Sequence, residues 1–455
     1  MALLLLLAAG VRIAWFTGLQ VGDDIVYSKT AAERLEGVVR FTNVQQTRLG
    51  FLLPLMAGYA LFGPGEGALV LYNLLCSVGL VAAIFALARR YWGTRAGFLA
   101  AGIAALYPNF VRFATECHAD TPAALWQALS VLLCLEAEGA RRPTSRLVLA
   151  GLLLGWAHLH KEHAVFLVPF FAGHAWGTGR RWTWVLPLAL PALGVVLLEF
   201  AGFWMWTGNP FTRFEMIRYW HSGRYMAESY ATLPALLWRL FLELPVRLLA
   251  PWHGLIFLPA LVAGAGRVRR GDPGARRLAG WWASVYLGYS FWPSSLVPFR
   301  PCFILHEWTL PVLGAPLVVL LGAALSHARH RRAAAALIVL SVLHGAIIHG
   351  VWRYERRYAE GAREALEWIR RERPSRVIAD DKTVEALDFF EGHRPARQYL
   401  PFPAAGDWGR SVVILDNFWI RPGRWTSRPA PPEVWAPPSA WRKVYSSERI
   451  TIYRT

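Results

Sequence analysis

Charge is what this sequence has least of. Only 17% of its 455 residues are Asp, Glu, Lys or Arg, whereas a soluble protein of this length carries about 25%. That scarcity excludes a disordered chain and a secreted soluble enzyme. Four cysteines are too few for a disulfide-stapled domain. There is no HExxH pattern, no internal repeat and no Gly-rich phosphate loop. What fills the chain is apolar: 55% hydrophobic residues, 23 Trp and a mean hydropathy of +0.31. A polytopic membrane protein follows.

The basic excess, 48 Lys+Arg against 30 Asp+Glu, is read from its placement. Apolar spans are expected at Met1–Gly18, 67–88, 96–111, 121–135, 147–160, 164–177, 185–206, 251–266, 278–292, 308–325 and 333–352, about eleven in all. Met1–Gly18 lacks a basic n-region and a clear small-x-small cleavage site, so it reads as a retained helix with a very short cytoplasmic end, or as a slightly truncated start, and not as a signal peptide. Sixteen arginines occupy five alternate turns: Arg89/Arg90/Arg95, Arg141/Arg142/Arg146, Arg180/Arg181, Arg267 to Arg277, and Arg329/Arg331/Arg332. The positive-inside rule makes those turns cytoplasmic. Leu49–Phe62 is apolar too, but it contains Pro54, and counting it as a span would move every arginine turn outside. It is therefore expected to be a re-entrant or interfacial helix within an external loop of residues 19–66.

Beyond residue 353 the pattern changes. Ala359–Arg373 reads as an amphipathic helix with Ala362, Leu366 and Ile369 on one face. Strand-like Arg376–Ala379 and Ser411–Asp416, helix-like Thr383–Glu391 and a final strand at Arg449–Tyr453 complete a small α/β domain. Its Asp380–Asp381 pair reads as a strand end in preference to a metal site. The domains are thus 1–353 in the membrane and 354–455 outside it.

Ionisable residues at span ends on the external side are the candidates for chemistry. Asp23 and Asp24 follow the first span directly; adjacent carboxylates repel, which raises one pKa and suits a general base. On spacing alone, an exposed turn with Asp as a helix cap is the favoured reading. Glu116-Cys-His118-Ala-Asp120-Thr-Pro122 offers acid/base groups and also a good helix start. His158-Leu-His160-Lys161-Glu162-His163 invites a zinc reading, against which His158 and His160 point to different sides of a helix. Lys161 at this depth needs an anionic partner: a lipid phosphate, Glu162 or Asp120. Arg300, with His306 and Glu307 downstream, is placed to clamp a phosphate or to sit among headgroups. Arg218, Tyr219, His221, Arg224 and Tyr225 form a further cationic–aromatic patch. Cys117 and Cys302 fall on the external side, where pairing between them is open.

These elements, in this order, resemble the GT-C membrane glycosyltransferases, in the branch of protein O-mannosyltransferases and lipid A aminoarabinose transferase-like enzymes. The family's Asp-Glu-x-x-Tyr is similar to Asp23-Asp24-x-x-Tyr27, followed by an Ala-rich juxtamembrane helix. Further matches are Pro54 to Phe62-Gly63, Tyr72-Asn73 through Ala88-Arg-Arg90-x-x-Gly93, Glu116 to Asp120-x-Pro122, and Gly155-x-x-x-Leu159-x-Lys161-Glu162. The resemblance implies an all-α polytopic GT-C fold of about eleven transmembrane helices with a small extracytoplasmic α/β domain. It also implies an inverting glycosyltransferase, active without metal or other cofactor, in the inner membrane of a bacterium. The donor would be a polyprenyl-phosphate-linked sugar, the acceptor a glycan, lipid or protein hydroxyl; no nucleic acid is involved. Asp23 or Asp24 would be the base, with Asp120 in support. Tyr27, Glu116, His118, Lys161, Glu162, Arg300 and His306 would bind substrate, with Lys161 offsetting charge on the leaving phosphate. Here Asp24 replaces the family's Glu, and Leu305-His306-Glu307 replaces its Arg-Tyr. A transporter or flippase of a lipid-linked or anionic substrate is the competing class, and an assembly role for the tail is a third. Clustering of ionisable groups at one face favours the enzyme over the transporter.

Overall fold

The computed structural model describes residues 1–222, 232–243, 257–296, 299–301, 309–326, 332, 336, 339–340, 343–348, 350–351, 357–402, 408–421 and 430–455. The chain divides into two compact units. One comprises Met1–Phe16, Val39–Pro54 and Leu71–Val351; the other comprises Thr17–Val38, Leu55–Val70 and Trp352–Thr455.

In chain order the first helices are α1 (Ala2–Ala14), α2 (Asp23–Leu35), α3 (Leu49–Phe62), α4 (Glu66–Leu106), α5 (Pro108–Arg112) and α6 (Asp120–Glu136). Then come α7 (Pro143–His160), α8 (Val168–Gly177), α9 (Arg181–Thr207), α10 (Thr212–Ser222), α11 (Leu233–Trp238), α12 (Phe257–Arg269) and α13 (Pro273–Phe291). A short antiparallel ladder of β1 (Pro293–Leu296) and β2 (Phe299–Pro301) precedes α14 (Leu310–Leu325). By length and apolarity, α4 and the Trp182–Thr207 part of α9 are each able to cross a membrane; α1, α3 and α14 are shorter apolar helices. Along α9, Leu186, Leu190, Leu193, Leu197 and Trp204 are exposed, an apolar face suited to lipid.

The expected spans 67–88 and 96–111 are both parts of α4, and Gly93 (φ 82°, ψ 176°) breaks the helical geometry between them at the arginine turn. The second of these ends at Leu106 and not at Val111. Tyr107 is extended ahead of Pro108, because a proline ring disfavours helical geometry in the residue before it. The chain then restarts as α5 with Pro108 in its first turn. Leu49–Phe62 is one helix in spite of Pro54. The expected spans 251–266 and 333–352, and the start of 308–325, lie partly outside the described residues.

Packing in the first unit is closest between α7 and its neighbours α6 and α9. A Cβ on Gly151 would lie 2.1 Å from the Leu188 carbonyl oxygen, and one on Gly155 would lie 2.7 Å from Val195 Cβ. Two glycines four apart let the α7 and α9 backbones touch, the small-residue device of membrane helix pairs. That contact fixes the far end of α7, where His158 to Lys161 sit. Around it, α14 is buried along almost its whole length and packs against α6, α12 and α13.

The second unit contains α2 and a five-stranded sheet. Its remaining elements are α15 (Glu360–Glu372), β3 (Arg376–Ala379), α16 (Asp381–Phe390), β4 (Gln398–Pro401), β5 (Val412–Asp416), α17 (Pro432–Trp435), β6 (Arg442–Ser446) and β7 (Ile450–Arg454). Strand order is β4-β3-β5-β7-β6. β3 runs parallel to both β4 and β5, while β7 is antiparallel to β5 and β6. On α15, Ala362, Leu366 and Ile369 are buried as the periodicity expects. The strands that sequence reading passed over, β4 and β6, are the two sheet edges and carry little buried apolar surface. Asp380 ends β3 and caps α16, accepting from the Thr383 backbone N–H at 2.8 Å and its hydroxyl at 2.6 Å.

Candidate active site

The acidic pair lies in the second unit. Gly22 is the N-cap of α2, at φ 141°, a conformation L side chains rarely adopt. Neither aspartate therefore occupies the N-cap that an exposed turn would give it. Asp24 is almost fully buried, and its carboxylate accepts the Gln20 backbone N–H at 2.8 Å. Asp23, one residue nearer the helix start, is partly exposed. Both stand in the first turn, where the helix dipole stabilises negative charge. Tyr27 is fully buried on the same helix.

The loop from Arg112 to Asp120, in the first unit, is wrapped around one buried side chain. Asn73 Nδ2 donates to the carbonyls of Phe113, Glu116 and His118 at 3.3, 2.6 and 2.8 Å, and the Thr121 hydroxyl donates to Phe113 at 3.0 Å. Glu116 is buried and paired with Arg112 Nε at 2.7 Å, with His118 Nε2 3.7 Å from its other oxygen. Cys117 is fully buried; Cys302 is outside the described residues.

At the start of α6, Asp120 meets the end of α7. Lys161 Nζ donates to both carboxylate oxygens of Asp120, at 2.6 and 2.7 Å, with both side chains nearly inaccessible. Of the three partners open to Lys161 in sequence, the fold assigns Asp120. His163 Nε2 stands 3.8 Å from the same carboxylate, and its Nδ1 accepts from Gln127 Nε2 at 2.9 Å. His160 Nδ1 donates to the Trp156 carbonyl at 2.8 Å, so Nε2 accepts from the Tyr72 hydroxyl at 2.7 Å; Tyr72 in turn accepts from Trp126 Nε1. His158 faces Glu199 at 3.3 Å. The three histidines thus have three separate sets of partners, and among the described residues no group of metal-ligating side chains converges.

Two members of this region escaped sequence reading. Arg213 on α10 bridges Glu199 at 2.6 Å and Glu162 at 3.2 Å, and all three are buried. Glu199 lies within an expected span, and a lone carboxylate in such a run was itself the available signal. Arg12, inside the first span, was missed in the same way. It is fully buried and donates to Ser77 Oγ at 2.7 Å and to the carbonyls of Ala8 and Ala105, so it ties α1 to the end of α4. Next to the Glu199–Arg213 pair, an apolar cavity of about 370 Å³ runs between α7, α8 and α9. Leu154, Gly155, Phe171, Trp184 and Leu188 line it, with His158 at its polar edge. Arg300 lies on β2, its backbone in register with Ser295. His306 is outside the described residues, as are Arg224 and Tyr225.

The chain is similar to known proteins in two ways. The profile of the family described as dolichyl-phosphate-mannose-protein mannosyltransferase matches residues 50–206. Among solved structures, ArnT from Cupriavidus metallidurans in the apo state superposes with a TM-score of 0.66 at 16% identity, covering 99% of this chain and 97% of that one. The same protein bound to undecaprenyl phosphate gives 0.63, with the same identity and coverage. The oligosaccharyltransferase of Archaeoglobus fulgidus, in complex with Zn and sulfate, gives 0.55 at 12% identity, covering 91% of this chain and 68% of that one. No curated protein sequence matches the chain. At these identities the likeness to the solved structures is one of fold.

Proposed function

We propose that this chain is an inverting glycosyltransferase, moving a sugar from a polyprenyl-phosphate donor to an acceptor hydroxyl at the extracytoplasmic face of a bacterial inner membrane. The observation that carries the reading is the buried Lys161–Asp120 pair, at the membrane-edge position where the GT-C resemblance expects cation and acid. The ArnT structure with undecaprenyl phosphate supports a lipid-phosphate donor here. The apolar cavity beside His158 is suited to part of its polyprenyl chain. Residues 1–353 form the membrane part, with 19–66 as its first external loop, and 354–455 form an extracytoplasmic domain. That α2 and the tail share one compact unit supports placing both on the same side.

In the reaction, Asp23 removes the proton of the acceptor hydroxyl as its oxygen attacks the anomeric carbon. The bond from that carbon to the donor phosphate oxygen breaks, and the phosphate leaves with the electron pair. One displacement inverts the anomeric centre. Asp23 is preferred to Asp24 as base because Asp24 is buried and holds the Gln20 amide, while Asp23 is partly exposed. Lys161 stabilises charge on the leaving phosphate. Asp120 orients Lys161, with Glu116, His118 and Glu162 shaping the surroundings; Tyr27, Arg300 and His306 complete the set expected to bind substrate. Asp23→Asn is expected to leave folding and undecaprenyl-phosphate binding intact and to lower transfer by several orders of magnitude. The assay uses the reconstituted full chain and lipid-linked sugars extracted from the native membrane. Near-normal turnover in that variant would refute the assignment.

A further inference from the structure

The second unit holds a chain of side chains that the glycosyl-transfer reading does not use. The Ser28 hydroxyl, on α2, is 2.7 Å from His393 Nε2 and 2.6 Å from the Tyr59 hydroxyl. His393 Nδ1 is 2.9 Å from Asp388 Oδ2, and Lys29 Nζ lies 3.7 Å from the same oxygen. Burial alone would raise the Asp388 carboxyl, but the hydrogen bond and charge of His393, with Lys29, outweigh it and hold the group below the usual carboxylate range. An ionised Asp388 accepts from Nδ1–H. Nε2 accepts from the Ser28 hydroxyl when the imidazole is neutral and donates to it when charged, so the Ser28–His393 contact holds in both states, and the Tyr59 hydroxyl closes the other side of Ser28 Oγ.

The order Ser-His-Asp matches that of hydrolytic triads, but the surroundings do not fit a nucleophile. Ser28 is 0% exposed, sits inside a helix, and has its hydroxyl bonded on both sides. No acyl or glycosyl group reaches it. What the arrangement does is hold α2 at one point.

His393 is brought there by a built turn. At the end of α16, the His393 N–H donates to the Asp388 carbonyl at 2.8 Å and the Gly392 N–H to the Phe389 carbonyl at 2.9 Å. These are the two bonds of a Schellman motif, which needs a left-handed residue after the cap; Gly392 supplies it at φ 70°. His393 itself stands at φ 60°, and among the described residues only Arg373 shares a positive φ without being glycine. A side chain kept at such an angle marks a position fixed by its surroundings. Asp388 thus grips His393 twice, through its carbonyl and through its carboxylate.

Ser28 lies four residues after Asp24 and five after Asp23, one helical turn from the acidic pair. We propose that Ser28, His393 and Asp388 form a positioning relay, by which the C-terminal domain sets the rotation and depth of α2 and so the placement of Asp23. The inference rests on Asp23 being the base. A displacement of about 1 Å at a reacting group costs roughly a hundredfold in rate, so a clamp one turn away is enough to matter.

The test uses the full chain with Ser28→Ala, His393→Ala and the conservative His393→Gln, whose side-chain oxygen keeps an acceptor for Ser28. Hydrogen exchange of the peptide spanning Asp23–Ser28 is measured beside transfer from extracted native lipid-linked sugars and affinity for undecaprenyl phosphate. Ser28→Ala and His393→Ala are expected to raise exchange in that peptide and to lower transfer ten- to a hundredfold. Affinity for undecaprenyl phosphate should change less than twofold, and His393→Gln should recover much of the loss. Unchanged exchange in Ser28→Ala would overturn the relay. Raised exchange with undiminished transfer would overturn its role in catalysis, provided Asp23→Asn is inactive in the same assay. An active Asp23→Asn would instead remove the base assignment, and the relay's purpose with it, whatever the exchange result.

Discussion

Replacing Lys161 by Met removes the charge from the buried Lys161–Asp120 pair at the α6–α7 junction while keeping much of the apolar stem. At 2.6 and 2.7 Å from the two Asp120 oxygens, the gross attraction is roughly 6 kcal/mol at an effective dielectric of about 20. Most of that offsets desolvation of the two ions. The measurable quantity is therefore the cost of stranding one of them, about 3–5 kcal/mol. Lys161→Met and Asp120→Asn should each destabilise the protein on that scale. The double variant should lose less than the sum by about 2–3 kcal/mol, since neighbouring charges couple. Unfolding by denaturant in detergent, across the four proteins of the cycle, reads this directly. Losses that add to within about 0.5 kcal/mol would refute the coupling. Affinity for undecaprenyl phosphate separates stability from function. Asp120→Asn frees a full positive charge and should raise that affinity several-fold while lowering transfer; Lys161→Met should lower it tenfold or more. If neither variant changes it, Lys161 has no part in holding the lipid phosphate.

Other outcomes follow from individual contacts. Gly155→Leu should force α7 from α9, because even its Cβ would stand 2.7 Å from Val195; a loss of about 1–3 kcal/mol or more is expected, read by thermal unfolding against Gly194→Ala, which meets nothing within 4 Å. Burial, aided by Asp416 and Asp381 and opposed by the Thr383 hydrogen bonds, pushes the Asp380 carboxyl up to about 7. Its stabilising contribution is then full below the unfolded value of about 3.9 and is lost as pH rises through about 7. Asp380→Asn keeps an acceptor for the cap and should remove that part of the decline; an unchanged slope between pH 4 and 7 in unfolding experiments would refute it. Fusion of a topology reporter after Thr455 should give an extracytoplasmic signal, and a cytoplasmic one would invert the loop assignment.

Much of the site could be read residue by residue, though not as a set of partners. Asp120, Lys161 and Glu116 stood out because charge at the end of an apolar span is costly. Which anion Lys161 meets was undecidable from spacing, since Glu162 is adjacent and Asp120 is far along the chain; the packing of α6 against α7 brought the second one in. Glu199 and Arg213 were hidden for the opposite reason. Each sits in or beside an apolar run, and only the meeting of α9 and α10 with the end of α7 turns them into a bridge. In the tail, α15, β3 and β5 were legible because their buried faces are periodic. The edge strands β4 and β6 were not, because pairing and not burial makes them strands.

By itself, the sequence determined the class of protein, the loops that carry the arginines and the short list of ionisable groups. Those follow from local quantities: hydropathy, charge placement and the periods of helix and strand. Tertiary structure alone decided the partners. It bonded Asp24 to a backbone amide and left Asp23 partly exposed, chose Asp120 for Lys161, and set Ser28 against His393 across 365 positions of chain. No local preference encodes such pairings. They arise because buried polar groups must find partners wherever packing brings them.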